Sequence, residues 1–207
     1  MLADNAGYNI EAAVQVAHAV TTHKAITEDD YFTAVDLKRP EEFEDDAGAA
    51  HVGETGFGSG IFYLYVCIDK ALLVKNLGGA AALAARGLDA LTEALATVSP
   101  TGKQASFASR ARADFILAER GHQQPRTLAG AFVKPVNGSD ILVDSISRLK
   151  TTRKAMDNAY GPCSEDYRIM DVKAGEALSL RSKLSLRTRE NAVFSHIHFG
   201  RAARFFW

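Results

Sequence analysis

The chain has 207 residues, 47% hydrophobic and 24% charged, a balance that fits an ordinary soluble globular protein and excludes a wholly disordered chain. No apolar run approaches the ~18 residues of a membrane span, and Met1-Leu-Ala-Asp-Asn5 lacks the basic-then-apolar order of a secretory signal. The net charge of −1 conceals a division: residues 1–100 carry 6 Lys and Arg against 15 Asp and Glu, whereas residues 101–207 carry 18 against 10, a basic half suited to phosphate.

In chain order, Ile10, Ala13, Val14, Ala17 and Val20 recur at three- and four-residue steps, which predicts an amphipathic helix over Asn9 to His23. Tyr31-Phe-Thr-Ala-Val35 predicts a short strand. An acidic loop, Arg39 to Asp46, is closed by Gly48. The glycine-crowded segment His51 to Gly60 opens into Ile61-Phe-Tyr-Leu-Tyr-Val-Cys-Ile68, the strongest strand signal in the chain. Together these predict a long hairpin over about residues 31–63 with an irregular tip, the kind of excursion that usually binds something.

Residues 70–97 predict helix, with Gly78-Gly79 separating an early turn from the main segment and Pro100 ending it. Phe107 and Phe115-Ile-Leu117 predict strands flanking the basic residues Arg110 and Arg112, read either as phosphate contacts or as part of a solvated loop. Leu128 to Phe132 begins a helical stretch cut by Pro135, and Ser139 to Met156 predicts a helix with Ile141, Leu142, Ile146 and Leu149 on one face. No internal repeat is found.

Sites of chemistry are weak. His18 and His23 are five apart, not the four that place two ligands on one helical face. His196 and His198 share a face if extended, without a Cys or carboxylate cluster beside them. Asp29-Asp30 and Glu41 to Asp46 read as a solvated acidic face, and Gly58-Ser-Gly60 lacks the spacing of a nucleophile elbow. Cys67 and Cys163 have no CxxC partner and read as buried free thiols of a reducing cytoplasm. No catalytic residue, metal or cofactor is assigned.

Several segments are nevertheless specific together: Ala12 to His23, Tyr31-Phe-Thr-Ala-Val-Asp36, Ala49-Ala-His-Val-Gly53, Phe57 to Tyr63, Asn76-Leu-Gly-Gly79, Gly102-Lys-Gln104, Gln124-Pro125 and Ala131-Phe132. In order and approximate spacing over about residues 1–160 they resemble the CasC family, the backbone subunit of type I-E CRISPR Cascade. The resemblance implies an α+β fold: an RRM-like (ferredoxin-like) RAMP palm, here lacking its N-terminal strand, with a thumb β-hairpin and flanking helices. It implies a CRISPR RNA-binding scaffold without chemistry of its own. Copies of the chain would stack along the RNA, with other Cascade subunits, and present it for pairing with target DNA.

Residue by residue, Tyr31, Phe32 and Thr33 would form the nucleotide-displacing thumb. His51, Val52 and Gly53 would form its returning side, and Lys103 and Gln104 would touch RNA or the adjacent copy. Glycine suits such a hairpin because losing Cβ lets backbone approach sugar and phosphate. Two positions depart from the family pattern: Gly56 stands where it has Glu, and Leu64 where it has Arg. Residues 1–178 are taken as the C-terminal part of the backbone subunit. Residues 179–207 are an unassigned tail with six basic residues and one acid, read either as a recombined extension or as an RNA-binding tail. The rival expectations are a RAMP-type endoribonuclease that processes repeat RNA, and a truncated remnant.

Overall fold

The computed structural model describes residues 9–34, 51–99, 108–175 and 194–206. Its seven strands are β1 (Val14–Val16), β2 (Val20–Thr21), β3 (Ile26–Ala34), β4 (His51–Asp69), β5 (Phe115–Gly121), β6 (Asp166–Asp171) and β7 (Phe194–Phe206). All pair antiparallel in one sheet of order β1-β4-β7-β5-β6, with β2 and β3 also on the β1 side of β4. The helices among the described residues are α1 (Lys70–Asn76), α2 (Ala81–Thr97) and α3 (Ile141–Tyr160), with a 3-10 turn at Ala129–Phe132. The expected α+β architecture, with a long hairpin and flanking helices, is the one observed.

The helix predicted over Asn9 to His23 is not formed: β1 and β2 occupy that stretch. Val14, Val16, Val20 and Thr21 are β-branched, which costs side-chain freedom in a helix and suits a strand. The free edge of β4 decides the matter by supplying backbone partners: Asp69 N–H donates to Ala13 O, Ala17 N–H to Tyr65 O and Thr22 N–H to Ile61 O. Of the apolar positions read as a buried helical face, Ile10 is 71% and Val20 39% exposed, while Ala13 is buried.

In register, β1, β2 and β3 are one long partner of β4, interrupted twice. Val16 faces Val66 and Val20 faces Tyr63, so residues 17–19 stand against residues 64 and 65, one extra. Thr21 faces Phe62 and Ile26 faces Ser59, so residues 22–25 stand against 60 and 61, two extra. Such insertions leave ladder groups unpaired, and His23 repairs one of them. Its Nε2 accepts from Ile61 N–H at 3.1 Å, while its Nδ1–H donates to Lys24 O at 2.8 Å. Gly60 makes room for the ring, since a Cβ there would sit 3.3 Å from His23 Nε2. His23 is thus a ladder repair.

The sheet buries both faces. Val66 and Ile68 of β4, Ile116 and Ala118 of β5 and Met170 of β6 pack with Leu88 and Ala96 of α2. On the opposite face Tyr63, Phe115 and Leu117 pack with Leu128 and with Leu142, Ile146 and Leu149 of α3. The period of two along each strand assigns these sets to opposite sides. The helices start and stop where their caps dictate. Asp69 accepts from Leu72 N–H at 2.9 Å to open α1, and Asp140 accepts from Val143 N–H to open α3. Gly78 and Gly79 take φ of 63° and 87° between α1 and α2, as the glycine pair predicted.

The stretch beyond residue 178, unassigned from sequence, supplies β7, which lies in the middle of the sheet. It pairs with β4 from Phe57↔Phe206 to Asp69↔Phe194 and with β5 from Phe115↔Gly200 to Gly121↔Phe194.

Candidate nucleic-acid interface

The two ends of β4 differ in their partners. Residues 57–69 face β7 on one edge, whereas residues 51–56, among the described residues, pair with β3 alone. Beyond the last β7 pair, therefore, β3 and β4 continue as a two-stranded ribbon of six residue pairs, from Asp29↔Gly56 to Ala34↔His51. At ~3.4 Å per residue it is roughly 20 Å long. Residues 35–50, which include the acidic loop Arg39 to Asp46, lie between its strands in sequence and outside the described residues.

Six of the eight residues singled out from sequence meet on this ribbon. Tyr31 faces Glu54, Phe32 faces Gly53, Thr33 faces Val52 and Ala34 faces His51. Strand alternation places Tyr31 and Thr33 on one face and Phe32 on the other, so the ribbon carries an aromatic position on each side. Lys103 and Gln104 lie outside the described residues. Arg110 and Arg112 are exposed, and Leu64, where the resembling family has Arg, packs against the apolar core instead. Gln124 and Pro125 help line an open cavity of about 430 Å³ with Arg126, Met156 and Tyr160.

A second polar constellation lies inside the sheet and escaped the sequence reading. Glu119 and His198 are fully buried and Tyr63 is 2% exposed. His198 Nδ1 is 2.8 Å from Tyr63 Oη, and its Nε2 is 3.3 Å from Glu119 Oε2. Glu119 Oε1 also accepts from Arg153 Nε at 2.7 Å and Ser164 Oγ at 3.1 Å, with the Arg126 guanidinium 3.7 Å away. Arg126 in turn pairs with Asp157 at 2.7 Å.

Burial alone would raise the Glu119 carboxyl, but hydrogen bonds and charge from His198 and Arg153 outweigh it and hold the group at about 2. Burial pushes His198 below its usual 6.5 despite Glu119, with Arg126 and Arg153 adding to the fall. The imidazole is therefore neutral, and an ionised Glu119 requires it to donate from Nε2. Nδ1 then accepts from the Tyr63 hydroxyl, whose oxygen accepts from Leu128 N–H at 2.9 Å. Burial also lifts the Tyr63 hydroxyl to about 12, so it stays protonated as donor. Tyr63, His198, Glu119 and Arg153 are each hydrogen-bonded within it, whereas the buried Arg126 Nε has no hydrogen-bond partner among the described residues; the network joins β4, β7, β5 and α3.

Cys67 and Cys163 are free and buried, and burial raises both thiols, which makes them poor nucleophiles. Among the described residues no group of three or more His, Cys, Asp or Glu side chains could hold a metal ion, and no helix is long and apolar enough to cross a membrane.

The chain was compared with known proteins. No curated protein matches it. A subunit of a CRISPR RNA-guided surveillance complex in a pre-nicking state aligns with a TM-score of 0.72 and 29% identity, covering 87% of this chain and 48% of that one. A subunit of another CRISPR RNA-guided surveillance complex aligns with a TM-score of 0.69 and 28% identity, covering 87% of this chain and 68% of that one. This chain thus spans less than half the length of the first and about two thirds of the second. A family model described as CT1975-like protein matches residues 1–193. The chain belongs to the CT1975-like protein family.

Proposed function

We propose that this chain is a guide-RNA-binding scaffold subunit of a CRISPR surveillance complex, of the type I-E CasC kind, without catalytic activity of its own. The observation that carries the reading is the β3–β4 ribbon. It pairs Phe32 with Gly53 and Thr33 with Val52, with Tyr31 opposite Glu54 and His51 opposite Ala34, beyond the edge of the β7 pairing, in a chain similar to subunits of RNA-guided surveillance complexes.

A two-stranded ribbon bearing aromatics can enter single-stranded RNA and replace a base–base stack with a base–aromatic one, worth about 1–3 kcal/mol per base. Opposite Phe32, Gly53 leaves backbone open to sugar and phosphate. Binding of this kind does not read sequence, so any guide is accepted and base pairing reads the target DNA. Lys103, Arg110 and Arg112 belong to the basic half and neutralise phosphate, and Gln104 hydrogen-bonds to RNA or the adjacent copy. The complex forms in the cytoplasm, from several copies of the chain and other Cascade subunits.

The test is guide-RNA binding by purified protein across a salt series. Phe32→Ala with Thr33→Ala should lower affinity about 5- to 150-fold, the equivalent of about 1–3 kcal/mol, while leaving the salt slope in place. Lys103→Ala should flatten the slope by about one ion. Unaltered affinity in the Phe32/Thr33 variant would end the ribbon assignment. Cleavage of repeat RNA by the purified chain, abolished by one His or Asp substitution, would replace the scaffold reading with the endoribonuclease one.

A further inference from the structure

We propose that His23 is a positioning residue that locks the register of the β3–β4 ribbon, holding Phe32 opposite Gly53 against a slip of two residues, an inference that rests on the RNA-binding reading of the ribbon.

The two registers follow from the pairing. Thr21 faces Phe62 and Ile26 faces Ser59, so residues 22–25 hold two residues more than the segment of β4 they oppose. Drawn into the ladder, those two would let β3 continue in the register of β2. Phe32 would then face His51 instead of Gly53, and Tyr31 would face Val52. A slip by two keeps every side chain on its own face, so burial does not oppose it. Glycine-rich strands also specify register weakly, and residues 51–60 hold four glycines.

The junction between β2 and β3 is built against that slip. Thr22 N–H donates to Ile61 O at 2.9 Å, the first half of a hydrogen-bonded pair. In a regular antiparallel ladder Ile61 N–H would return a bond to Thr22 O. That oxygen instead accepts from Val136 N–H at 2.9 Å, and Thr22 Oγ1 lies 2.9 Å from Ser145 Oγ of α3. Thr22 is thus tied to the α3 side of the sheet, and the bond from Ile61 N–H is diverted to a side chain. His23 Nε2 accepts it at 3.1 Å. The ring fits because residue 60 is glycine, where a Cβ would sit 3.3 Å from that nitrogen.

The imidazole therefore takes the place of a ladder carbonyl. With it, the two extra residues stay out of the ladder and Ile61 N–H is satisfied. Without it, the slipped register alone gives that amide an acceptor, and a part-buried amide left unpaired favours the slip about tenfold. At the ribbon the slip would put the His51 side chain where Gly53 leaves backbone open beside Phe32.

Two cysteine pairs in the full chain read the register without RNA. Thr33→Cys with Val52→Cys joins residues that face each other in the observed ladder. Tyr31→Cys with Val52→Cys joins residues that face each other only after the slip. Opposed Cβ atoms lie ~4.5–5.5 Å apart and diagonal ones ~7–8 Å, so a disulfide favours the opposed pair. Under a glutathione couple, with peptide mapping to assign the bond, the first pair should close and the second stay open. His23→Leu should shift the ratio toward the slipped pair about tenfold. His23→Gln, whose side-chain oxygen can accept from Ile61 N–H, should leave the ratio at its parental value. Deleting Lys24 and Ala25 removes the two extra residues, so His23→Leu in that background should shift nothing. Where His23→Leu does not fold, Gly60→Val, which crowds the ring out of its place, carries the same expectation. An unmoved ratio, an equal shift in His23→Gln, or a shift that survives the deletion would overturn the lock. Guide-RNA affinity is then measured for the His23 variants with the native ribbon. Binding weakened by His23→Leu and kept by His23→Gln supports the lock as the aim of the ribbon. A shifted ratio at unchanged affinity would leave the lock standing and end the RNA-binding reading of the ribbon instead.

Discussion

β4 is one strand with two kinds of surroundings. From Ile61 to Asp69 it runs between β1 and β2 on one side and β7 on the other, buries Tyr63, Val66 and Ile68, and contributes a hydroxyl to a buried polar network. From His51 to Gly56 it is half of a two-stranded ribbon, rich in glycine, with β3 as its partner. The first region holds its shape by desolvation and paired polar groups. An isolated two-stranded ribbon is only marginally stable in water, and its shape is borrowed from the sheet that anchors it. Stability and RNA recognition should therefore separate along a single strand, and substitutions in the two regions should fail in different assays.

The largest effect is expected at the buried carboxylate. Glu119→Ala removes the main partner of Arg153 and the carboxylate that His198 Nε2 faces, and Glu119 and His198 are themselves fully buried. Removing one member of a buried ion pair costs about 3–5 kcal/mol, a large part of the 5–15 kcal/mol typical of a domain. Urea unfolding followed by circular dichroism should show the midpoint fall by that amount or the fold lost outright. A cost within 1 kcal/mol would mean that water reaches the network and that the two regions of β4 are less different than the burial implies.

Next in size is Tyr63→Phe. It keeps the ring, which packs 5.4 Å from Phe132, and removes only the hydroxyl that accepts from Leu128 N–H and donates to His198. An amide and an imidazole nitrogen are left unpaired, at about 1–3 kcal/mol. The same unfolding measurement checks it, and guide-RNA affinity of the folded fraction should be unchanged.

The same network sets a pH dependence. Burial lowers the folded pKa of His198 below 6.5, so the unfolded chain takes up that proton first, and stability declines as pH falls below 6.5. The slope is limited to about 1.4 kcal/mol per pH unit for one proton. Glu119, held at about 2 against 4.5, adds stability that is whole above pH 4.5 and drains as pH falls toward 2. Thermal melts between pH 8 and pH 5 should show the first decline, and His198→Gln should flatten it while lowering stability throughout. An unflattened profile would place the titrating group elsewhere.

The sequence revealed the region that local pattern specifies. The glycine-crowded run into Ile61–Ile68 marked the hairpin, Gly78-Gly79 marked the break between α1 and α2, and Ile141 to Leu149 marked the buried face of α3. What it concealed depends on distance along the chain. Val14 to Thr21 satisfy a three- and four-residue apolar spacing equally well, and only the edge of β4, some forty residues on, makes them strand. Tyr63, Glu119 and His198 form no motif, being separated by 56 and 79 residues. The spacing of His196 and His198 along one strand face was the available clue. It signalled a strand that the basic, irregular composition of residues 179–207 obscured.

The smallest stability effect, and the sharpest test of the comparison, belongs to the ribbon. Phe32→Ala with Thr33→Ala lies where β3 and β4 pair with each other alone among the described residues. If the two side chains face RNA, the substitutions lie away from packed or polar-bonded sites, where changes usually fall within about 0.5 kcal/mol. The double variant should unfold at the midpoint of the parent while binding guide RNA 5- to 150-fold more weakly, the consequence of losing about 1–3 kcal/mol of stacking. Equal losses in both measurements would make the ribbon part of the folded core, and its aromatics would then be packing residues. A loss of binding at full stability would place recognition in the β3–β4 ribbon, which the sheet supports without enclosing.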